Sequence, residues 1–381
     1  MRRALVVACL LVVCGALAAP AWAEGPMPDL DTSTIERFLK ELSSEFGEYA
    51  PDIDLKAFLA QLTQGGTRYD VVGLWQGLWR YLLRELLSNA NLLGRLLVMA
   101  VFCALLQNLH SAFEGDTVGR LAYGVCHLAL ALLAFSGLRL ALSVARGVVE
   151  QLVSFMQAMV PLLLTLVAAS GALTSAGLFH PLMVAVVYGV SSLVKDVVLP
   201  LIFLAAVLDI VGGFAEGIKV SHLSGLLRQA GMVLMGILMC TFLGVSAAQG
   251  AAGAVADGVS LRSAKFLAAT FVPVLGKMFA DATELVFGGS LLLKNALGAA
   301  GALAILVATA FPLLKLAAMV ITYRLAAAIV QPAGGERIGD CLNAIASSLS
   351  LILAGALGVS VMFFLALTMV MSAGNAAMML R

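Results

Sequence analysis

The sequence predicts an all-α, polytopic helical membrane protein, and three observations support this fold class. Of the 381 residues, 61% are hydrophobic and 12% are charged, whereas a soluble globular chain carries roughly 25% charged residues. The mean hydropathy is +1.02. The apolar residues lie in runs of roughly 18 to 25 without strict alternation, a pattern typical of membrane-spanning helices. Helices satisfy their backbone hydrogen bonds internally, as lipid requires.

The first 23 residues have the three parts of a secretory signal peptide. Met1–Arg3 form a basic segment, Ala4–Leu17 form an apolar segment, and Ala21–Ala23 form a small-residue cleavage site. An uncleaved signal anchor is the alternative. Both interpretations predict that the residues after the signal peptide are extracytoplasmic.

Residues 24–90 are predicted to form an exported region of amphipathic helices. Ser33–Glu36 match a capping box at a helix start. The stretch 70–89 has an apolar stripe that includes Trp75 and Trp79, and tryptophan is enriched at membrane interfaces. This stretch therefore lies either at the membrane interface or packed against neighbouring helices.

The rest of the chain holds about 8–10 apolar segments, which we divide into three parts. Residues 91–148 are predicted to form two leading transmembrane helices, followed by a first membrane repeat at 149–260 and a second at 261–381. Some short segments are predicted to be half-helices or re-entrant. Lys195 and Asp196 are expected in a turn at the membrane surface. The segments are 92–113, 121–145, 149–170, 178–195, 197–214, 229–249, 266–287, 295–310, 312–331 and 342–372.

An internal duplication is predicted because three short motifs return in the same order. Paired interrupted segments in repeated halves are typical of transporter folds and indicate the binding site. Whether the copies are parallel or inverted depends on the number of crossings in each, which stays open. The motif pairs are Leu199–Val207 with Phe311–Met319, Val160–Leu163 with Val272–Leu275, and Leu243–Ser246 with Leu357–Ser360.

Four prolines in these apolar segments are candidate helix breaks. Proline removes a backbone donor and crowds the preceding turn. Pro161 and Pro273 correspond in the two proposed copies, as do Pro200 and Pro312.

Lys277, Asp281 and Glu284 are the strongest candidates for a polar path. Their spacing of i, i+4 and i+7 places them on one helical face. Ionisable residues at membrane depth usually face a partner or a water-filled cavity. The alternative is that segment 266–287 lies along the membrane interface, with these charges facing lipid headgroups.

Several function classes have no support in the sequence. The cysteines and histidines show no metal-ligand spacing, so no metal and no cofactor are predicted. No P-loop, G-x-S-x-G or H-E-x-x-H motif is present, and we expect no enzymatic activity. A net charge of +1 gives no reason to expect nucleic acid. We expect membrane lipid to surround the chain.

The chain resembles the stage III sporulation protein AE family of endospore-forming bacteria. The resemblance is carried by the order of signal peptide and exported helices, then Ala104–Phe113 (ALLQNLHSAF), Phe155–Leu166 (FMQAMVPLLLTL) and Gly171–Pro181. These motifs are hydrophobic and non-catalytic. The family has no agreed catalytic residues, so the resemblance implies none here.

The resemblance implies a multi-pass protein of the mother-cell membrane that surrounds the forespore. It implies as partners the other stage III sporulation operon proteins, a forespore partner protein and a YidC-type insertase for assembly. Together these proteins are expected to form a channel or feeding apparatus needed for late forespore gene expression. Two functions remain: a permease or gate of that apparatus, or a non-conducting scaffold that assembles its ring and ATPase components.

Overall fold

The computed structural model describes residues 71–112, 117–212, 221–271, 275–333, 336–372 and 375. Within these ranges the chain is almost entirely helical and contains no β-strand, which confirms the all-α fold class. The signal peptide and most of the exported region lie outside the described residues. The elements are α1 Val71–Ser88, α2 Ala90–Ala112, α3 Thr117–Ala169, α4 Leu173–Val184, π1 Ala185–Val190, α5 Ser191–Leu193, π2 Val194–Val198, α6 Leu199–Gly212, α7 Ser221–Phe271, α8 Leu275–Val330, a short 3₁₀ turn Gln331–Ala333, and α9 Glu336–Ser372.

Five helical stretches in the described part are long and apolar enough to cross a membrane, by length and composition alone. This agrees with a polytopic membrane protein. The stretches are Gln76–Leu105, Gly124–Ala169, His222–Ser260, Gly288–Val330 and Ile338–Ser372.

Apolar segments that we expected to be separate are joined into long helices. The segments 121–145 and 149–170 lie in α3, and 295–310 and 312–331 lie in α8. The residues between the two apolar segments of α3, 146–148, lack the cluster of turn residues that would end a helix. With 53, 51 and 56 residues, α3, α7 and α8 are each about 75–85 Å long. They therefore extend beyond a hydrocarbon core of about 30 Å.

The expected turn at Lys195–Asp196 is also absent, because the chain stays helical from Leu173 to Gly212. The run contains two π-helical segments, π1 and π2, and Lys195 and Asp196 lie in the second. At the end of π2 the N–H of Leu199 donates to the carbonyl of Val194, five residues earlier, which is the π-helical pattern.

Pro200 gives a physical reason for the wider turn in π2. Proline has no N–H to donate to the carbonyl of Asp196, four residues earlier, and its ring crowds that carbonyl. A widened turn relieves the crowding while the helix continues. At this proline the sequence therefore leads to a π segment and not to a break.

Two antiparallel pairs pack side by side to form most of the described bundle. In the first, Gly231 of α7 lies against Ile202 of α6. In the second, a methyl group on Gly298 of α8 would overlap Met371 of α9. Helix α3 packs across both pairs and turns into α4 at Gly171, whose φ of 86° favours glycine.

Helix α7 is the least buried of the long helices. Only 17% of its apolar window is buried, against 56% in α8 and 61% in α9. Within the described residues its only buried large apolar side chain is Phe242. The core of the bundle is built by the other helices, and α7 lies along its side.

Helix α1 packs on its neighbours, as one of our two interpretations of 70–89 proposed. The ring of Tyr81 meets the ring of Phe311 edge to face, with centroids 4.9 Å apart. Trp79, Leu83 and Leu87 remain exposed on α1, so an apolar strip of this helix also faces outward.

Candidate polar groove

A polar groove of about 480 Å³ lies between α3 and the π-helical segments. Helix α3 contributes Glu150, Ser154 and Gln157, which share one helical face at i, i+4 and i+7. The opposite wall contributes Tyr188, Ser192, Lys195 and Asp196, among others. The long apolar helix α3 therefore has a polar face in its C-terminal half.

Two contacts organise the charges of this groove. Lys195 Nζ forms an ion pair with Glu150 Oε1, linking π2 to α3. The hydroxyl of Ser192 donates to Asp196 Oδ2 at 2.8 Å. The side chains of Lys195 and Glu150 are 35% and 57% exposed, so the pair borders an open groove.

The π-helical backbone is a second feature of this site. π-helical turns are rare and occur frequently at functional sites, where the extra residue changes the direction of nearby side chains. Here π1 carries Tyr188 and π2 carries Lys195 and Asp196. The unusual backbone and the charged groove therefore coincide.

A second polar network joins three helices at one end of the α6–α7 pair. Arg228 of α7 forms an ion pair with Asp209 of α6. The same guanidinium donates to the Ser348 hydroxyl of α9 at 3.1 Å. The network holds α6, α7 and α9 together.

Asp257 holds the other end of α7, where this helix meets the start of α4. Its carboxylate accepts the backbone N–H of Thr174 at 2.8 Å and that of Ser175 at 3.0 Å. These N–H groups start α4, whose own N-cap residue, Ala172, offers no side-chain bond. Asp257 is only 1% exposed, so a carboxylate from α7 caps α4 from more than eighty residues away.

The distance between the two polar ends of α7 matches the thickness of a membrane. Arg228 and Asp257 are about 43 Å apart along α7 at the rise of an α-helix. A bilayer with its headgroups is about 40–45 Å thick. Lys195 precedes Asp209 by 14 residues, or about 20 Å of helix. The groove therefore lies near the midpoint between the two polar ends.

A buried lysine forms a further polar cluster, near the end of α9. Lys294 of α8 is fully buried and donates to Asn375 Oδ1 at 3.2 Å. The amide of Asn375 donates to Asn295 Oδ1 at 3.3 Å. Among the residues that the structure describes, no three His, Cys, Asp or Glu side chains form a metal-sized group.

The sequence-predicted path residues have only their backbone described. Lys277, Asp281 and Glu284 lie in the helix α8, but their side chains are outside the described residues. The polar path assigned to them stays a prediction.

The four proline candidates are placed as follows. Pro161 lies inside α3 and Pro312 inside α8, and both helices continue through them. Pro200 is the second residue of α6, directly after π2. Pro273 is outside the described ranges. The chain is therefore helical on both sides of all three described prolines.

The groove residues were missed by the sequence analysis or assigned to another role. Glu150 was not singled out, and Lys195 and Asp196 were expected in a surface turn. The available signal was the i, i+4, i+7 spacing of Glu150, Ser154 and Gln157, the same pattern that drew attention to Lys277, Asp281 and Glu284.

Comparison with known proteins identifies the family of this chain. Residues 53–374 match the family model described as stage III sporulation protein AE. The chain is 39% identical over 359 residues to the stage III sporulation protein AE of Bacillus subtilis (strain 168), covering 94% of this chain and 90% of that relative. No solved structure matches the chain significantly. The chain therefore belongs to the stage III sporulation protein AE family.

Proposed function

We propose that this protein is the permease or gate of the sporulation channel between mother cell and forespore. The observation that supports this proposal is the charged groove beside π1 and π2, which lies about midway between the two polar ends of α7. In this proposal the bilayer lies between the Asp209–Arg228 network and Asp257. The Glu150–Lys195 pair is then at hydrocarbon depth.

Charges at that depth are expensive unless they face protein or a water-filled cavity. The groove is open, and its two charged walls belong to helices that run through the bundle. A hydrated path along this groove would satisfy Glu150, Lys195 and Asp196 together. A hydrated groove therefore favours conduction over a purely structural role.

The test is flux through liposomes that contain only the purified full chain. We expect efflux of entrapped radiolabelled rubidium or chloride above that of protein-free liposomes. Glu150→Gln or Lys195→Met should change the flux, because either leaves the other charge without its partner. Asp340→Asn, at an exposed position of α9, is the matched control and should conduct normally. Absence of flux from the unsubstituted chain would reject the permease.

A non-conducting scaffold is the second candidate, and the exposed side of α7 favours it. In that role the exposed side of α7 would carry contacts to membrane-embedded parts of the apparatus. Apart from the backbone of α7 itself, no atom of the described residues lies within 4 Å of a methyl group placed on Gly236 or Gly244. Gly236→Trp should therefore leave the fold intact and reduce co-purification with the other stage III sporulation proteins. Unchanged co-purification would remove the support that α7 gives to the scaffold.

The same proposal includes location and assembly. We expect the protein in the mother-cell membrane around the forespore, with the residues after the signal peptide extracytoplasmic. We expect its insertion to require a YidC-type insertase and its role to involve the forespore partner protein. Depleting the insertase should lower the membrane level of this chain. An unchanged level would argue against that dependence.

A further inference from the structure

The groove has one negative charge without a counter-charge among its described lining residues. Its charged lining groups are Glu150, Lys195 and Asp196. Lys195 is paired with Glu150. Asp196 accepts one described hydrogen bond, from the hydroxyl of Ser192, although a carboxylate offers about four acceptor positions. Asp196 is exposed to the groove, and at the membrane depth that we propose for the groove its charge calls for a cation beside it.

We propose that the groove binds a small organic amine, with the ammonium group of the ligand against Asp196. This proposal deepens the proposed function, because it rests on the same groove and names the class of solute that the groove selects. An ammonium group donates three charge-assisted hydrogen bonds, which are stronger than neutral ones. The carboxylate of Asp196 can accept one or two of them, and a neutral amide in its place would be a weaker partner.

The size of the groove favours an organic amine over a bare metal ion. Its volume of about 480 Å³ falls within the range of small-molecule sites, about 300–1,000 Å³. A single dehydrated ion would leave most of that volume empty. Ser154 and Gln157 on the α3 wall supply neutral hydrogen-bonding groups for the polar remainder of a ligand.

The neighbouring charges also limit which solutes fit. An anionic solute would meet Glu150 and Asp196, and Lys195, the one cation among the described lining residues, is already in an ion pair. A neutral solute would gain hydrogen bonds but leave the charge of Asp196 unbalanced. The groove therefore should prefer a cationic amine to a neutral or anionic solute of the same length.

The experiment is protection of a groove position from a thiol reagent in the purified, full-length chain. The four cysteines after the signal peptide are replaced, and Ser154→Cys places one thiol on the α3 wall. Three solutes that differ in one terminal group are compared: 5-amino-1-pentanol, 1,5-pentanediol and 5-hydroxypentanoate. We expect the amine to slow maleimide labelling in a concentration-dependent way, and the diol and the acid to have little effect.

The matched variants test the role of Asp196. With Asp196→Asn the half-protecting amine concentration should rise by about tenfold or more, since a charge-assisted bond is lost. With Asp340→Asn it should stay the same. Equal protection by the diol or the acid would overturn the amine site. So would unchanged protection in Asp196→Asn. The three-solute comparison uses an intact groove carboxylate, so it decides the question even if Asp196→Asn does not fold.

The outcomes separate this proposal from the proposed function. Ion flux through liposomes without protection by the amine would leave the permease standing and reject the amine site. Protection by the amine without any flux would establish the site and reject the permease.

Discussion

At the scale of single residues, Asp257 is the side chain whose role is clearest. It is buried and accepts two backbone N–H groups at the start of α4. Removing the carboxylate would leave the buried N–H of Ser175 and the half-buried N–H of Thr174 without a partner, and an unmet buried donor costs about 1–3 kcal/mol. Asp257 is therefore expected to matter more for stability than any exposed charge.

We predict that Asp257→Ala lowers the melting temperature in detergent by several degrees. Asp257→Asn keeps one acceptor oxygen and should lose less. The measurement is thermal unfolding of the two variants beside Asp340→Asn, which should match the unsubstituted chain. Equal losses in Asp257→Ala and Asp340→Asn would show that the cap does not stabilise α4.

A second prediction concerns the contact of Tyr323 with Gly137. The buried hydroxyl of Tyr323 donates to the carbonyl of Ala134 at 3.3 Å. A methyl group on Gly137 would overlap that hydroxyl and crowd the ring behind it. Overpacking of this kind typically costs about 1–3 kcal/mol. Gly137→Ala should therefore be destabilising.

The double substitution separates the overlap from other effects. Tyr323→Phe removes the hydroxyl, which is the atom closest to the added methyl group. Gly137→Ala with Tyr323→Phe should then lose less stability than the sum of the two single changes. Thermal unfolding of the four chains measures this coupling. Additive losses would contradict a direct contact between the two positions.

At the scale of helices, glycine has two opposite effects in this fold. Gly301 lies where α8 meets α3 and α9, so a methyl group there would overlap Met159 and crowd Leu367. Gly236 on α7 has open space around it. Alanine is favoured over glycine in a helix by about 1 kcal/mol.

We predict opposite signs for the same substitution at these two positions. Gly301→Ala should lower the melting temperature, because the added methyl group overfills the contact with Met159 and Leu367. Gly236→Ala should leave it unchanged or raise it, because only helix propensity changes. Thermal unfolding of both variants is the measurement. A loss at Gly236 equal to that at Gly301 would mean that α7 is packed against something along this face.

The helices show what sequence patterns can and cannot predict. Apolar run length correctly predicts helices and a membrane protein, because lipid leaves few alternatives. It does not predict where a helix ends, since Pro161 and Pro312 stay inside helices. Each helix continues because the residues around the proline keep their own backbone hydrogen bonds, and these outweigh the one bond that the proline cannot make.

The π segments could not be predicted from the sequence for a related reason. The missing N–H of Pro200 can be relieved by a break, a kink or a wider turn. Which of these occurs depends on tertiary packing, and packing depends on residues far away in sequence. The ion pair of Lys195 with Glu150 shows this, since the partners are 45 residues apart.

At the scale of the whole molecule, the candidate site comes from the meeting of segments that are separate in sequence. Glu150 belongs to α3, while Asp196 belongs to π2. Neither run of sequence predicts the other as its neighbour. The duplication that we infer from the repeated motifs would make two pairs equivalent. The first pair is the run α4–α6 with α7, and the second is α8 with α9. It remains a prediction, and the helix bounds alone do not decide the parity of the copies.

The placement of the bilayer leads to the last prediction, which concerns the two ends of α7. Gln229 lies beside Arg228, and Ser260 lies just beyond Asp257; both are exposed. Gly244 lies about halfway between them and is also exposed. With the bilayer between the two polar ends, the outer positions reach water on opposite sides of the membrane. The middle position faces lipid, where a thiol does not ionise and a charged reagent does not enter.

Single cysteines at these three positions, in a chain without its other cysteines, test the arrangement directly. A membrane-impermeant maleimide should label position 229 from one side, position 260 from the other, and position 244 from neither. Labelling of 229 and 260 from the same side would contradict the placement, because α7 would then not cross the bilayer between them. Labelling of position 244 from water would place α7 along the aqueous path and move the conducting surface from the α3 groove to α7. Full labelling in detergent at all three positions is the control, since it shows that each thiol is accessible once the lipid is removed.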